Sequence, residues 1–265
     1  MQVGISCLVL PGDWSLADIV RETKAAGYEA LELVLRDTGE LSLETPEAEL
    51  RRLSDYARGE GMYLASVCPG LREKRPNLTH PCPEIRAQSV DTFKRAIDAV
   101  VALGVDNLLV VPGGVTEEVA YDEAYYRALQ GMQALAPHAE AAGVNLAIEY
   151  VWNKFLLSPM EFARFCDEVG SPRVGFFFDT GNMTIFGYAE QWARIVGRHL
   201  MKVHFKDFKR AGFEWKPLLE GDVNFPAVMA ELRKLGYDDA LISEVDPGTA
   251  PLGATAQAIR RIMEM

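Results

Sequence analysis

Four residues able to donate oxygen or nitrogen to a metal close short apolar runs in the second half of the chain. Val144-Asn145-Leu146-Ala147-Ile148 stops at Glu149, Phe176-Phe177-Phe178 stops at Asp179, and Leu241-Ile242-Ser243 stops at Glu244. His204 follows Met201-Lys202-Val203, near the end of another such run. Runs of this kind read as strands covered on both faces. Donors at the ends of four consecutive strands would meet on one rim. Three carboxylates there repel, and burial raises their pKa values, unless a cation sits among them. Three carboxylates and one imidazole suit one divalent metal ion: Mn²⁺ first, then Mg²⁺ or Co²⁺, with Zn²⁺ less favoured for want of thiolates. A single Asp or Glu after a strand is more often a cap or a solvated loop residue. Four in phase argue against coincidence.

The elements that position them alternate regularly. The expected strands are Val3–Leu8, Ala30–Leu35, Met62–Val67, Asn107–Val111, Val144–Ile148, Val174–Phe178, Leu200–Phe205 and Ala240–Val245. Between and after them the spacing predicts helices over Leu16–Ala26, Glu47–Glu60, Glu84–Leu103, Asp122–Ala142, Pro159–Glu168, Ala189–Val196, Phe225–Leu235 and Ala254–Met263. Gly27, Gly61, Gly104, Gly143, Gly170 and Gly236 stand just past helix ends, where a left-handed cap favours glycine. Ser15, Thr45 and Ser158 stand at helix starts, the last two followed by proline. Regular strand–helix alternation means a parallel sheet. No GxGxxG follows the first strand, so an open dinucleotide-binding sheet is disfavoured. The fold class expected is α/β: a single (β/α)8 TIM barrel over residues 1–265, with its site at the C-terminal ends of strands five to eight.

The chain has 265 residues and a net charge of −11. That balance disfavours nucleic acid and anionic membrane as partners; a phosphorylated small-molecule substrate needs only a local basic patch. No apolar run approaches the length of a membrane span, and no basic leader precedes the first strand. Cys7, Cys68, Cys82 and Cys166 form no CxxC pair, so a reduced, cytoplasmic setting is expected.

In their local contexts these residues resemble the xylose-isomerase-like barrel superfamily of sugar phosphate isomerases and epimerases. The segments are Ile148-Glu149-Tyr150-Val151-Trp152-Asn153-Lys154, Phe178-Asp179-Thr180-Gly181-Asn182 and Val203-His204-Phe205-Lys206-Asp207. Leu219-Glu220-Gly221-Asp222-Val223 and Ser243-Glu244-Val245 complete the set. The Asp179–Asn182 segment looks most like the pentulose-5-phosphate 3-epimerase branch. Free-ketose 3-epimerases of the superfamily tend to carry His at the position of Asn182, which weighs against a free ketohexose. The resemblance implies Glu149, Asp179, His204 and Glu244 as metal ligands, with Glu149 and Glu244 doubling as the acid/base pair. It also implies that the barrel pairs or forms tetramers. The chemistry stands independently: a metal chelated by a ketose stabilises an enediolate while carboxylates move carbon-bound protons. Two carboxylates on opposite faces give epimerisation, whereas one shuttling between adjacent carbons gives isomerisation.

Around this core, Glu32 lies inside the second strand, facing substrate or pairing with Lys202. Lys206 is placed to orient a substrate oxygen or phosphate, or to pair with a carboxylate. Lys206, Lys209 and Arg210 form a basic cluster after strand seven, where barrels often hold phosphate. Asn182, Trp152 and Lys154 are further substrate-binding candidates, and Trp14 and Pro112-Gly113-Gly114 lie in rim loops. His80, His138 and His199 have no expected role. The competing functions are an inosose- or dehydroshikimate-type dehydratase on the same metal, and a non-catalytic sugar-binding barrel. An endonuclease of the three-metal kind needs more histidines and a basic surface.

Overall fold

A computed structural model describes residues 1–73 and 75–265 of the chain. Eight parallel strands close a barrel: β1 (Gln2–Ser6), β2 (Ala30–Leu35), β3 (Tyr63–Pro69), β4 (Asn107–Val110), β5 (Asn145–Glu149), β6 (Val174–Asp179), β7 (Leu200–Phe205) and, last in the chain, β10 (Ala240–Ser243). β8 (Asp207–Lys209) and β9 (Glu214–Lys216) form a separate antiparallel hairpin. The ring runs in chain order and shuts where β1 pairs with β10. All six positions of β2 and all six of β6 are buried. Their near-continuous apolar character thus reflects two covered faces, one toward the barrel interior and one toward the helices.

The helices are α1 (Leu16–Ala25), α2 (Glu47–Gly59), α3 (Pro83–Ala102), α4 (Tyr121–Ala142), α5 (Pro159–Val169), α6 (Thr180–Thr184), α7 (Ala189–Val196), α8 (Phe225–Lys234) and α9 (Leu252–Met263). Ser15 starts α1 with a reciprocal capping box to Asp18. Ser158 caps α5 ahead of Pro159. Thr45 does not cap α2; the cap position is Pro46, without a side-chain bond. The Thr45 hydroxyl instead donates to Glu40 O and accepts from Ser42 N, tying off the preceding loop. All six glycines expected past helix ends have positive φ, from 62° to 94°.

The first strand stops at Ser6, two residues short of expectation. There the Ser6 hydroxyl accepts from Leu8 N and turns the chain into a 3-10 turn. Side chains two residues apart share a strand face, so Lys202 and His204 succeed one another along the interior, and Lys206 follows at the rim. Lys202 is buried at the opposite end from the strand termini, ion-paired with Asp239 beside the Tyr63 ring. Among the described residues, no helix is long and apolar enough to cross a membrane.

Candidate metal and substrate site

Register brings the four donors together. Asp179 lies opposite His204 across the β6–β7 ladder, and Glu149 lies opposite Phe177 across β5–β6. The Glu244 amide donates to Phe205 O at 3.2 Å, which sets it beside the end of β7. One donor atom from each of Glu149, Asp179, His204 and Glu244 falls within 4.8 Å of every other.

Each donor is oriented by a neighbour. Asp179 caps α6 by accepting from Asn182 N at 2.7 Å through Oδ1. Its Oδ2 is buried and accepts no hydrogen bond, although Lys206 Nζ stands 3.2 Å away. His204 Nδ1 faces Glu149 Oε1 at 3.3 Å, with Asp179 Oδ2 and Glu244 Oε2 each at 4.0 Å. The other ring nitrogen, Nε2, lies 3.0 Å from Glu32 Oε1. Glu32 in turn accepts from Ser6 Oγ at 2.7 Å and Ser66 Oγ at 2.8 Å. Glu244 is ion-paired with Lys206.

The electrostatics follow from burial opposed by these partners. Burial pushes Glu149 up to about 7, against the pull of His204. Burial alone would lower His204, but Glu32 and the bonds to Glu149 and Glu32 hold it well above its ordinary value. Burial would likewise raise Glu244, yet Lys206 and His204 hold it below the usual carboxylate range. Lys206 is pulled down by burial and lifted further by Asp179 and Glu244. Four carboxylates, Glu32 included, thus crowd around one imidazole and one lysine ammonium. An orphaned buried carboxylate oxygen, two further carboxylates and an imidazole nitrogen aimed at them form a donor set that fits one divalent ion.

A cavity of about 460 Å³ opens above the cluster. Glu149 and Glu244 line it, 7% and 11% exposed, whereas Asp179 and His204, both 0% exposed, lie beneath. Asn182, Trp152 and Lys206 line it as well. Asn182 Nδ2 donates to Tyr150 O at 3.0 Å and Glu149 Oε1 at 3.3 Å. Trp152 donates to Asn182 O and stacks on Trp215, with ring centroids 4.9 Å apart.

Other expected site residues lie elsewhere. Glu32 is fully buried and neither faces the cavity nor pairs with Lys202; it braces His204 from behind. Lys154 takes left-handed backbone at φ 62° and points to the exposed surface. The basic cluster after strand seven does not converge: Lys209 pairs with Asp222 at 2.7 Å, and Arg210 donates to Thr184 O and Gly187 O. Trp14 lines a separate hollow near Arg36. Gly113 packs on the Asn77–Thr79 turn, and its carbonyl accepts from Asn153 Nδ2. His80, His138 and His199 bond to Cys82 N, Asp98 and Asp167, away from the cavity. Arg72 and Arg75, which do line the cavity, escaped the sequence reading. Their signal is the basic run after the third strand, where no periodicity marks a residue's direction.

Comparison with known proteins agrees with this architecture. The sequence profile of the xylose isomerase-like TIM barrel matches residues 20–265. The L-ribulose-5-phosphate 3-epimerase UlaE of Salmonella paratyphi C is 25% identical over 97% of this chain and 92% of its own length. That of Salmonella typhimurium is likewise 25% identical, with the same coverage. Among solved structures, D-psicose 3-epimerase with D-tagatose from Clostridium cellulolyticum H10 superposes with TM-score 0.82 at 17% identity, covering 100% of both chains. The 3-keto-D-glucoside 4-epimerase YcjR of E. coli gives 0.80 at 16% identity, also covering 100% of both. With the profile spanning all but the first strand, the segment after it and the first four residues of α1, the chain belongs to the xylose isomerase-like TIM barrel family.

Proposed function

We propose that the protein is a divalent-metal-dependent epimerase that inverts C3 of a ketose or ketose phosphate through an enediolate, in a reducing, cytoplasmic setting. The observation that carries this reading is the division within the donor cluster. Asp179 and His204 are sealed below, while Glu149 and Glu244 reach the cavity where substrate would lie. These two glutamates come from β5 and from the end of β10, with β6 and β7 between them in the ring. They therefore flank the site from its two ends, as an acid/base pair working on opposite faces of one carbon requires. Curated relatives named as L-ribulose-5-phosphate 3-epimerases support the same carbon.

Glu149, Asp179, His204 and Glu244 would hold the ion, with Mn²⁺ the first choice for an oxygen-rich set. When bound it supplies Lewis acidity, polarising the ketose carbonyl and stabilising enediolate charge. One glutamate takes the C3 proton on a carboxylate oxygen, and the other returns a proton from the opposite face. Asn182 steadies Glu149, Lys206 steadies Glu244, and the Trp152–Trp215 stack forms a wall for an apolar sugar face.

Product analysis tests this. Mn²⁺-loaded protein incubated with L-ribulose 5-phosphate and with free L-ribulose is expected to yield the C3 epimer of at least one. A product lighter by a water would instead assign the site to a dehydratase, and tight binding without product to a sugar-binding barrel.

A further inference from the structure

We infer that Arg72 and Arg75 form an anion subsite for the phosphomonoester of a ketose phosphate, on the opposite side of the barrel mouth from the basic residues after strand seven. The inference rests on the ketose-epimerase reading and names its substrate class. Both arginines follow β3 and line the same cavity as Glu149 and Glu244. Among the described residues, neither guanidinium has a hydrogen-bond or ion-pair partner, and both are exposed. Elsewhere at the strand ends such groups are occupied: Arg36 donates to Cys7 O, and Arg210 to Thr184 O and Gly187 O. Lys206, also on the cavity wall, is committed to Glu244 and Asp179. Among the described residues that line the cavity, the cations left for a ligand are thus Arg72 and Arg75.

The backbone at Arg72 is held even though neither arginine side chain has a partner among the described residues. Arg72 N and Glu73 N both donate to Asp37 Oδ2, at 2.9 and 3.2 Å. Downstream, Asn77 N donates to Ser89 Oγ at 2.9 Å. Leu71 is buried against the body of the protein. Two guanidiniums lining one cavity suit the bidentate geometry of a phosphate. In a chain of net charge −11 they also provide local attraction for an anionic substrate. A ketose phosphate would then span the cavity, with its carbonyl end over the four donors and its phosphate on the arginines.

Calorimetric binding of L-ribulose 5-phosphate and of L-ribulose to the Mn²⁺-loaded protein reads this directly, with C3 proton exchange followed on the same samples. The expected result is tighter binding of the phosphate ester, by about tenfold for each arginine engaged. That preference is expected to collapse in the Arg72→Gln/Arg75→Gln double variant and to return in part with Arg72→Lys/Arg75→Lys. Equal affinity for the two sugars in the unsubstituted protein, or a preference that survives the double substitution, overturns the subsite. A preference that behaves as expected without C3 exchange overturns the epimerase reading and leaves the subsite standing.

Discussion

The imidazole of His204 sits between unlike neighbours: three carboxylates on its Nδ1 side and one, Glu32, on its Nε2 side. A carboxylate on the far nitrogen fixes ring direction and raises ligand basicity, and loss of such a partner typically costs 10–100-fold in metal affinity. Glu32→Gln, nearly isosteric and still able to reach Ser6 and Ser66, is expected to weaken Mn²⁺ binding by about that factor while the fold survives. Calorimetric titration with Mn²⁺ checks it; unchanged affinity would remove Glu32 from the account. At the glutamates facing the cavity, Glu149→Gln and Glu244→Gln are each expected to lower turnover at saturating metal by at least about 100-fold. Circular dichroism would show whether the fold is retained, and near-native turnover in either variant would sink the two-carboxylate mechanism. The four donors were legible because each ends or nearly ends an apolar run. Glu32 was legible as an odd charge within a strand, but its partner was not. His204 is 172 residues away, and only barrel closure brings the two together.

At the scale of elements, the segment after β6 and the hairpin after β7 shape the site together. Gly181, in the first turn of α6, lies so close to the hairpin that a Cβ would fall 2.6 Å from Lys206 Cβ and 2.7 Å from Trp215 Cζ3. Gly181→Ala is therefore expected to cost about 1–3 kcal/mol through overpacking, and to raise KM by displacing Lys206 and the Trp215 wall. Urea unfolding and steady-state kinetics measure the two effects; a neutral substitution would mean that the hairpin yields freely. The hairpin's shape comes largely from Asp207, which is buried and accepts from Phe208 N, Gly221 N and Val223 N. These elements escaped the sequence reading for a physical reason. The eight barrel strands and eight of the helices announce themselves by apolar runs and period, whereas α6 is too short to show a period. The hairpin depends on one side chain folding a later loop back onto it. Thr45 failed as a cap because its hydroxyl found partners in the loop before it.

At the scale of the whole molecule, the barrel joins β1, β2 and β3 to the donor strands through Ser6, Glu32 and Ser66, so an ion held by the four donors would couple its binding to folding. An ion that binds the folded chain alone stabilises it by mass action, by about 2.7 kcal/mol at a concentration one hundred times its Kd. Mn²⁺ is accordingly expected to raise the thermal midpoint and EDTA to reverse the gain; a midpoint indifferent to both would contradict a cluster that holds a metal. Charge acts at the same scale. The chain carries a net charge of −11, yet Arg72 and Arg75 line the same cavity as Glu149 and Glu244. The barrel itself was legible from alternation, because eight strand–helix units with no dinucleotide fingerprint leave closure as the simplest topology. The direction of loop arginines was not, since loops carry no period.

The central claim, that Glu149 and Glu244 exchange the proton at C3 of a metal-chelated ketose, is tested most directly by proton NMR in D2O. Mn²⁺-loaded protein incubated with a panel of ketoses and ketose phosphates, then cleared of metal before acquisition, is predicted to lose the C3 proton signal of its substrate, and only when metal was present. Loss at C1, or no loss at any carbon with metal demonstrably bound, would contradict the account.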